Sequence, residues 1–355
     1  MTLEELGYNS SLEIFKKTLS IDSLLVGRVV SEHRERYVVK TDKAEFDTEV
    51  IGNLRFTAES RYDFPAVGDW VGFSVYGEHK GLIHVIYPRS SLLERKAAGR
   101  SNEVQIMAAN VDYGLIVQAV SRDFNLNRLE RYLTICNSAK VKPVIVLSKT
   151  DLITETELDH IRAAIANRIT DVQIVSVSNV SNSGYDEIKN LITKGITYCL
   201  LGSSGVGKST LVNNLLGAKK MKTDSISESV NKGKHVTSHR ELVMLEEGGI
   251  LIDNPGMREV GLTDTAGGME ITFDAIINLS HYCKFKDCTH LTELGCAVLE
   301  ALEKGELDNA AFQNYHKMQR EKMRFETSLE EKHRKEKSTG KLYKHIINAR
   351  KKNKY

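Results

Sequence analysis

Lys208 and Ser209 lie near the end of a stretch, Gly202-Ser203-Ser204-Gly205-Val206-Gly207-Lys208-Ser209-Thr210, that fits the pattern G-x-x-x-x-G-K-[ST]. Each residue type there has a task in holding a phosphate chain. The glycines let consecutive backbone N–H groups curl around the anion, the Lys208 ammonium neutralises the β- and γ-oxygens, and the Ser209 hydroxyl is a ligand for Mg²⁺. An apolar run over residues 196–201 precedes the loop and Leu211 to Leu216 follow it, which predicts a buried strand and then a helix. A helix N-terminus favours negative charge, so the loop stands where a nucleotide phosphate chain belongs.

Upstream, the run Pro143-Val144-Ile145-Val146-Leu147 ends in Ser148-Lys149-Thr150-Asp151. A carboxylate at the tip of a buried strand accepts from both N1–H and the exocyclic amine of guanine, while the Lys149 stem packs on the purine face. Adenine offers no such pair of donors. The segment resembles the N-K-x-D guanine signature of GTPases with Ser148 in place of Asn, an exchange that keeps a shorter hydrogen bond and loses an amide contact. A second strand, Val172 to Val175, leads into Ser176-Val177-Ser178, similar to the S-A-x loop whose backbone reaches the guanine carbonyl. Ser176 and Val177 are the residues assigned to that contact.

Downstream of the phosphate loop, residues 249–252 form an apolar strand ending in Asp253-Asn254-Pro255-Gly256. Asp253 is expected to hold Mg²⁺ through water, and the Gly256 N–H to sense the γ-phosphate. In between, Gly233-Lys234-His235-Val236-Thr237-Ser238 offers Thr237, with Ser238 second, as a hydroxyl ligand for Mg²⁺. Most GTPases place the phosphate loop first and the base-reading loop later; this chain reverses them. A circular permutation preserves the site because all of these loops leave one edge of a parallel sheet, whatever order the strands are joined in.

Three thiols and an imidazole, Cys283, Cys288, His290 and Cys296, crowd a short segment further on. Soft sulfur with one nitrogen suits tetrahedral Zn²⁺, and four protein ligands leave no open position, so a structural site is expected. His281 is a substitute ligand just outside the group.

These motifs need elements to hold them. The chain has 355 residues, too many for one ordinary core. Before about residue 95, five short apolar runs separated by polar or Gly turns (25–30, 37–40, 44–50, 70–75, 81–86) suit a five-stranded barrel, for which the OB-fold is the common candidate. The linker Asn53 to Tyr62 mixes cations with aromatics, as an RNA-contacting loop would. From Val111 the pattern becomes strand and helix in turn, including a helix from Asn125 to Ser138 with Leu129, Leu133 and Cys136 on one side. Leu307 to about Lys337 reads as a long helix with Phe312, Tyr315, Met318 and Met323 as buried contacts.

The formal net charge is +2, yet residues 316–355 hold fourteen Lys/Arg against five Asp/Glu, a local +9 that leaves −7 for the rest. Such a tail is suited to RNA phosphates. Five cysteines in 355 residues do not make a disulfide framework, no apolar stretch reaches membrane-spanning length, and the N-terminus lacks signal-peptide character. The expectation is a cytoplasmic protein without membrane contact.

The permuted order, the G-x-H-x-T segment, D-N-P-G and the cysteine cluster together resemble the bacterial ribosome small-subunit-dependent GTPase A family over nearly the whole chain. The resemblance implies an OB-fold domain (1–95), a circularly permuted P-loop α/β GTPase domain (96–272) and a mainly helical zinc-binding domain (273–355). It also implies a monomer that uses GTP with Mg²⁺, holds one structural Zn²⁺ on the four residues above, and acts with the small ribosomal subunit and its rRNA in late maturation. Met257 follows D-N-P-G where many small GTPases place a water-orienting glutamine. A thioether cannot orient water, so slow intrinsic hydrolysis is expected; His235, beside Thr237, is the candidate, the role proposed for its family counterpart. Lys208 and Thr237 complete the catalytic set. Two other accounts compete: a P-loop ATPase or small-molecule kinase, and a non-enzymatic RNA-binding assembly module with GTP as a static ligand.

Overall fold

The computed structural model describes residues 1–33, 36–96, 104–121, 124–217, 240–253 and 267–327. A helix, α1 (Ser10–Thr18), capped by the Asn9 side chain, leads into strands β1 (Leu25–His33), β2 (Arg36–Lys40), β3 (Glu45–Val50), β4 (Trp70–Val75) and β5 (Lys80–Ile86). They pair in the order β1-β2-β3-β5-β4, and β4 returns to β1, so the five strands close on themselves. Closure removes the edges that an open five-stranded sheet would expose. β3 and β5 run parallel while the other neighbours are antiparallel, with α2 (Gly52–Thr57) between β3 and β4. That is OB-fold connectivity. Val29, Tyr37, Val39, Val71, Phe73 and Ile83 fill the interior. Gly27 lies where a Cβ would come within 2.4 Å of the Val39 side chain on the neighbouring strand β2, so a glycine leaves room for that side chain in the narrow interior.

The Asn53–Tyr62 segment is not an open loop. It folds as α2 and a 3-10 turn over Arg61–Asp63, the latter capped by Ser60. Arg61 pairs with Glu32, and the Tyr62 hydroxyl donates to Glu94 at 3.0 Å. Phe56 stays 90% exposed. Some of the charge and aromatic character read there as RNA-facing is therefore used inside the molecule.

After a hairpin of β6 (Leu92–Lys96) and β7 (Val104–Ala109), the second sheet is built from β8 (Tyr113–Ala119), β9 (Lys142–Ser148), β10 (Gln173–Val177), β11 (Thr197–Leu201), β12 (Arg240–Met244) and β13 (Ile250–Asp253). Their spatial order is β10-β9-β8-β11-β13-β12, parallel throughout except for β12. Helices α3 (Leu126–Ser138), α4 (Glu155–Ala166), α5 (Tyr185–Leu191) and α6 (Lys208–Leu215) connect the strands. Strands buried on both faces read as continuous apolar runs, which is why β8, β9 and β11 were legible. β12 also pairs with β1 through Ser31 and Glu241, so barrel and α/β sheet form one eleven-stranded sheet.

Helices Gly268–Thr272, Asp274–Ser280, Ala297–Glu303 and residues 309–327 make up the C-terminal part. Tyr315, Met318 and Phe325 are buried, whereas Met323 is exposed: positions 315, 318 and 325 share a helical face and 323 lies off it. Phe273, Ile276, Val298, Tyr315 and Met318 belong to the same apolar cluster as Leu129, Leu133 and Cys136 of α3. The C-terminal part thus shares a core with the α/β sheet. Among the described residues, no helix is long and apolar enough to cross a membrane.

Candidate nucleotide site and metal centre

The phosphate loop leaves the C-terminal end of β11 and enters α6 at Lys208. Gly202, Gly205 and Gly207 have φ of 142°, 79° and 95°, a region that favours glycine. A Cβ on Gly202 would lie 2.3 Å from the Val117 carbonyl of β8, so only glycine lets the loop lie this close to the sheet. Val206 turns its side chain into the core, while Ser204 and Gly205 face solvent at the mouth. Lys208 Nζ donates to the Gly202 carbonyl at 2.6 Å and to that of Ser203. Ser209 and Thr210 follow in the first turn of α6.

Two neighbouring strand ends brace this loop. At the end of β9, Ser148 is buried and its Oγ donates to the Val206 carbonyl at 2.6 Å. Ser148 therefore serves the phosphate loop. Beyond it Lys149 takes a left-handed conformation, φ 60°, which turns the chain sharply so that Asp151 stands at the sheet edge. From β10, Ser178 Oγ donates to Asp151 Oδ1 at 2.5 Å and accepts from the Val180 and Ser181 N–H groups at 3.2 and 3.1 Å. Ser176 and Val177 are still within the strand: Ser176 Oγ accepts from Arg162 at 2.9 Å, and Val177 is buried. Asn179 reaches the other way, donating from Nδ2 to the Gly207 carbonyl at 3.3 Å while its Oδ1 accepts from the Tyr185 hydroxyl at 2.5 Å.

Ser178 closes the Ser176-Val177-Ser178 segment, whereas Asn179 and Tyr185 carry no motif in the sequence. Their one signal was a polar run just past an apolar strand. The structure brings 148–151, 176–179 and 202–210 to one edge of the sheet, and β13 ends at Asp253 on the same edge. His235, Thr237 and Gly256 lie outside the described residues.

In the C-terminal part, one ligand atom from each of Cys283, Cys288, His290 and Cys296 lies within 4.8 Å of the others. Cys283 and Cys296 Sγ are 3.8 Å apart, and His290 Nδ1 is 3.6 and 3.3 Å from them. Metal–sulfur bonds of about 2.3 Å and metal–nitrogen bonds of about 2.0–2.1 Å give a tetrahedron with edges of about 3.8 and 3.5 Å. The group fits a metal ion. Burial holds the His290 imidazole below its ordinary value, which favours the neutral form that ligates. Glu293 gathers the loop between ligands by accepting from the Thr289 hydroxyl and from backbone N–H of Thr289, Leu291 and Thr292, and these bonds hold its carboxyl well below the usual range. His281 is exposed and outside the group.

Comparison with known proteins agrees with this geometry. The family model described as RsgA GTPase matches residues 86–263, and one described as ABC transporter matches residues 185–342. The second span contains the phosphate loop but neither the β9 tip nor the Ser178 turn. The chain is similar to the small ribosomal subunit biogenesis GTPase RsgA 2 of Lactiplantibacillus plantarum, 40% identical over 321 residues and 90% of each chain. It is likewise similar to RsgA 2 of Vibrio parahaemolyticus, 36% identical over 353 residues, covering 99% of this chain and 94% of that one. The crystal structure of YjeQ from Thermotoga maritima superposes with a TM-score of 0.63 at 25% identity, over 82% of this chain and 96% of that one. The structure of YloQ, a circularly permuted GTPase, gives 0.63 at 24%, over 85% and 96%.

Proposed function

The chain belongs to the RsgA GTPase family, and from that premise we propose that it hydrolyses GTP to GDP and phosphate while bound to the small ribosomal subunit during late maturation. The observation that carries the reading is the Asp151–Ser178 bond beside the phosphate loop. Asp151 spends one lone pair on Ser178 and keeps the rest for the N1–H and amine of guanine. The Asn179 N–H has no partner among the described residues, while the Ser178 N–H is taken by the Ser183 carbonyl at 3.1 Å. Asn179 N–H is thus the donor for the guanine carbonyl, one turn beyond Ser176 and Val177. A kinase or ATPase of small molecules uses Lys208 and Ser209 as well, but has no use for a base reader of this donor preference.

Lys208 binds the phosphate chain and the loop N–H groups orient it. Ser209, Thr237 and, through water, Asp253 are the residues that would hold Mg²⁺, which supplies charge neutralisation at the β- and γ-oxygens when bound. With Met257 unable to orient water, His235 takes that role, and partner binding speeds the reaction. Cys283, Cys288, His290 and Cys296 hold one structural zinc, since a closed set of three thiolates and one imidazole offers no open position for chemistry. The barrel and the basic tail contact rRNA, and the protein works as a cytoplasmic monomer.

The test is GTP turnover with and without purified small ribosomal subunits, with ATP as competitor. Subunit-stimulated, guanine-selective phosphate release over many turnovers is expected. ATP competing equally would favour the kinase or ATPase account, and a single turnover without release would favour a static ligand.

A further inference from the structure

We propose that Arg128 is a second cation of the nucleotide site, one that stabilises charge on the γ-phosphoryl group of GTP during hydrolysis; this rests on the GTPase reading above. Arg128 lies in the first turn of α3, whose start is fixed twice. The Asn125 side chain caps the helix by accepting from the Arg128 N–H at 3.1 Å, and the Asn125 carbonyl accepts from Gln118 of β8 at 3.2 Å. From there Arg128 Nη1 reaches across to donate to Ser203 Oγ of the phosphate loop at 3.2 Å. Lys208 Nζ meets the carbonyl of the same residue.

The Lys208 ammonium marks the end of the loop where β- and γ-phosphates sit. Ser203 therefore brings a second positive charge to that end. Other charged residues of the same helix turn are matched internally: Glu130 accepts from Arg168 and Asn314 at 2.7 and 2.6 Å, and Arg131 donates to both Glu321 oxygens at 2.9 and 2.5 Å. Arg128 has no carboxylate partner among the described residues. Its contact with Ser203 is a long bond to a neutral hydroxyl, the kind an anion displaces, because hydrogen bonds between guanidinium and phosphate are charge-assisted and can be bidentate.

In the reaction a water oxygen forms a bond to the γ-phosphorus while the bond to the bridging oxygen breaks. The electron pair stays on the β-phosphate of GDP, and the water proton ends on inorganic phosphate. Negative charge grows on the bridging oxygen and is spread over the γ-oxygens, where a guanidinium in cis is one established way to stabilise it.

The experiment compares full-length wild type, Arg128→Ala and Arg128→Lys in GDP affinity, in single-turnover GTP hydrolysis with small subunits, and in affinity for GDP with aluminium fluoride, which stands in for the transferring phosphoryl. Arg128→Ala is expected to keep GDP affinity within about threefold, lose tight binding of the fluoride complex, and slow hydrolysis by about 10–1,000-fold, at or below the range for an arginine supplied in trans. Arg128→Lys should recover only part, because an ammonium cannot bond bidentately. Unchanged hydrolysis in Arg128→Ala would overturn the proposal. So would a parallel loss of GDP and GTP affinity with the hydrolysis step intact, since that is the signature of a brace for Ser203. Failure of the wild type itself to hydrolyse GTP would instead remove the GTPase reading.

Discussion

Ser178 Oγ donates to Asp151 Oδ1 at 2.5 Å, a bond that ties the end of β10 to the turn after β9 and fixes a carboxylate at the sheet edge. The bond has a direct consequence for base choice. In Asp151→Asn, an amide donor faces the guanine amine, so preference should move from GTP to xanthosine triphosphate. In Ser178→Ala the carboxylate loses its positioning, and GTP affinity should fall by about tenfold or more, given about 1.5–3 kcal/mol for a hydrogen bond to a charged group. Nucleotide competition checks both, and unchanged GTP preference in Asp151→Asn would remove the base-reading assignment.

Ser148 is buried, and its hydroxyl donates to the Val206 carbonyl. Ser148→Ala leaves that carbonyl without its donor. A stability loss of about 1–3 kcal/mol is expected in denaturant unfolding, with weaker binding of GDP and GTP alike because the loop is less well braced. A guanine-selective loss would argue instead that Ser148 contacts the base.

Removal of the metal should be felt as unfolding of the C-terminal part. Elemental analysis is expected to find about one zinc per chain, and structural zinc contributes on the order of 10–16 kcal/mol in small peptides. Cys288→Ala should lose the metal and lower the melting temperature. Full metal content with unchanged melting in that variant would refute the assignment.

The basic tail bears on ribosome contact. Deletion of residues 341–355 should weaken small-subunit binding and flatten its dependence on salt, because each phosphate contact contributes to that slope. Nucleotide binding by the isolated protein should be unaffected. Sedimentation with subunits at several salt concentrations, with GDP and with a non-hydrolysable GTP analogue, checks this; the analogue should bind about 5–150-fold more tightly, the usual range of coupling. Equal affinity in the two states would break the link between nucleotide and docking.

The architecture was legible where burial writes itself into the sequence. Apolar runs such as 143–147 and 196–201 appear as β9 and β11 because a strand covered on both faces has no polar side to show. The glycine-rich loop and the group of three cysteines and one histidine stand out in the sequence because few residue types recur at those spacings. Tertiary partners do not. Nothing local in Ser148 says that it bonds to Val206, 58 positions away, or that Arg128 reaches Ser203, 75 positions away. Ser178 belongs to the Ser176-Val177-Ser178 segment, but the apolar run before it does not say which hydroxyl of that segment meets Asp151. Nor does the linker after β3 show locally that Arg61 and Tyr62 bond to Glu32 and Glu94, while Phe56 stays exposed.

The apolar cluster that α3 shares with Phe273, Val298, Tyr315 and Met318 sets an order for biosynthesis. In a chain made from its N-terminus, strands β8 to β10 are laid down first, then β11 with the phosphate loop, then β13. The helix that carries Arg128 packs first on β8 and β9, and the part of that cluster supplied by Tyr315 and Met318, like the bond from Asn314 to Glu130, is added only after those residues have emerged. Translation cut short at the end of β13 therefore yields every strand of the nucleotide site with one wall missing. The nucleotide-binding motifs of such a chain are thus synthesised before the C-terminal residues that complete the shared core.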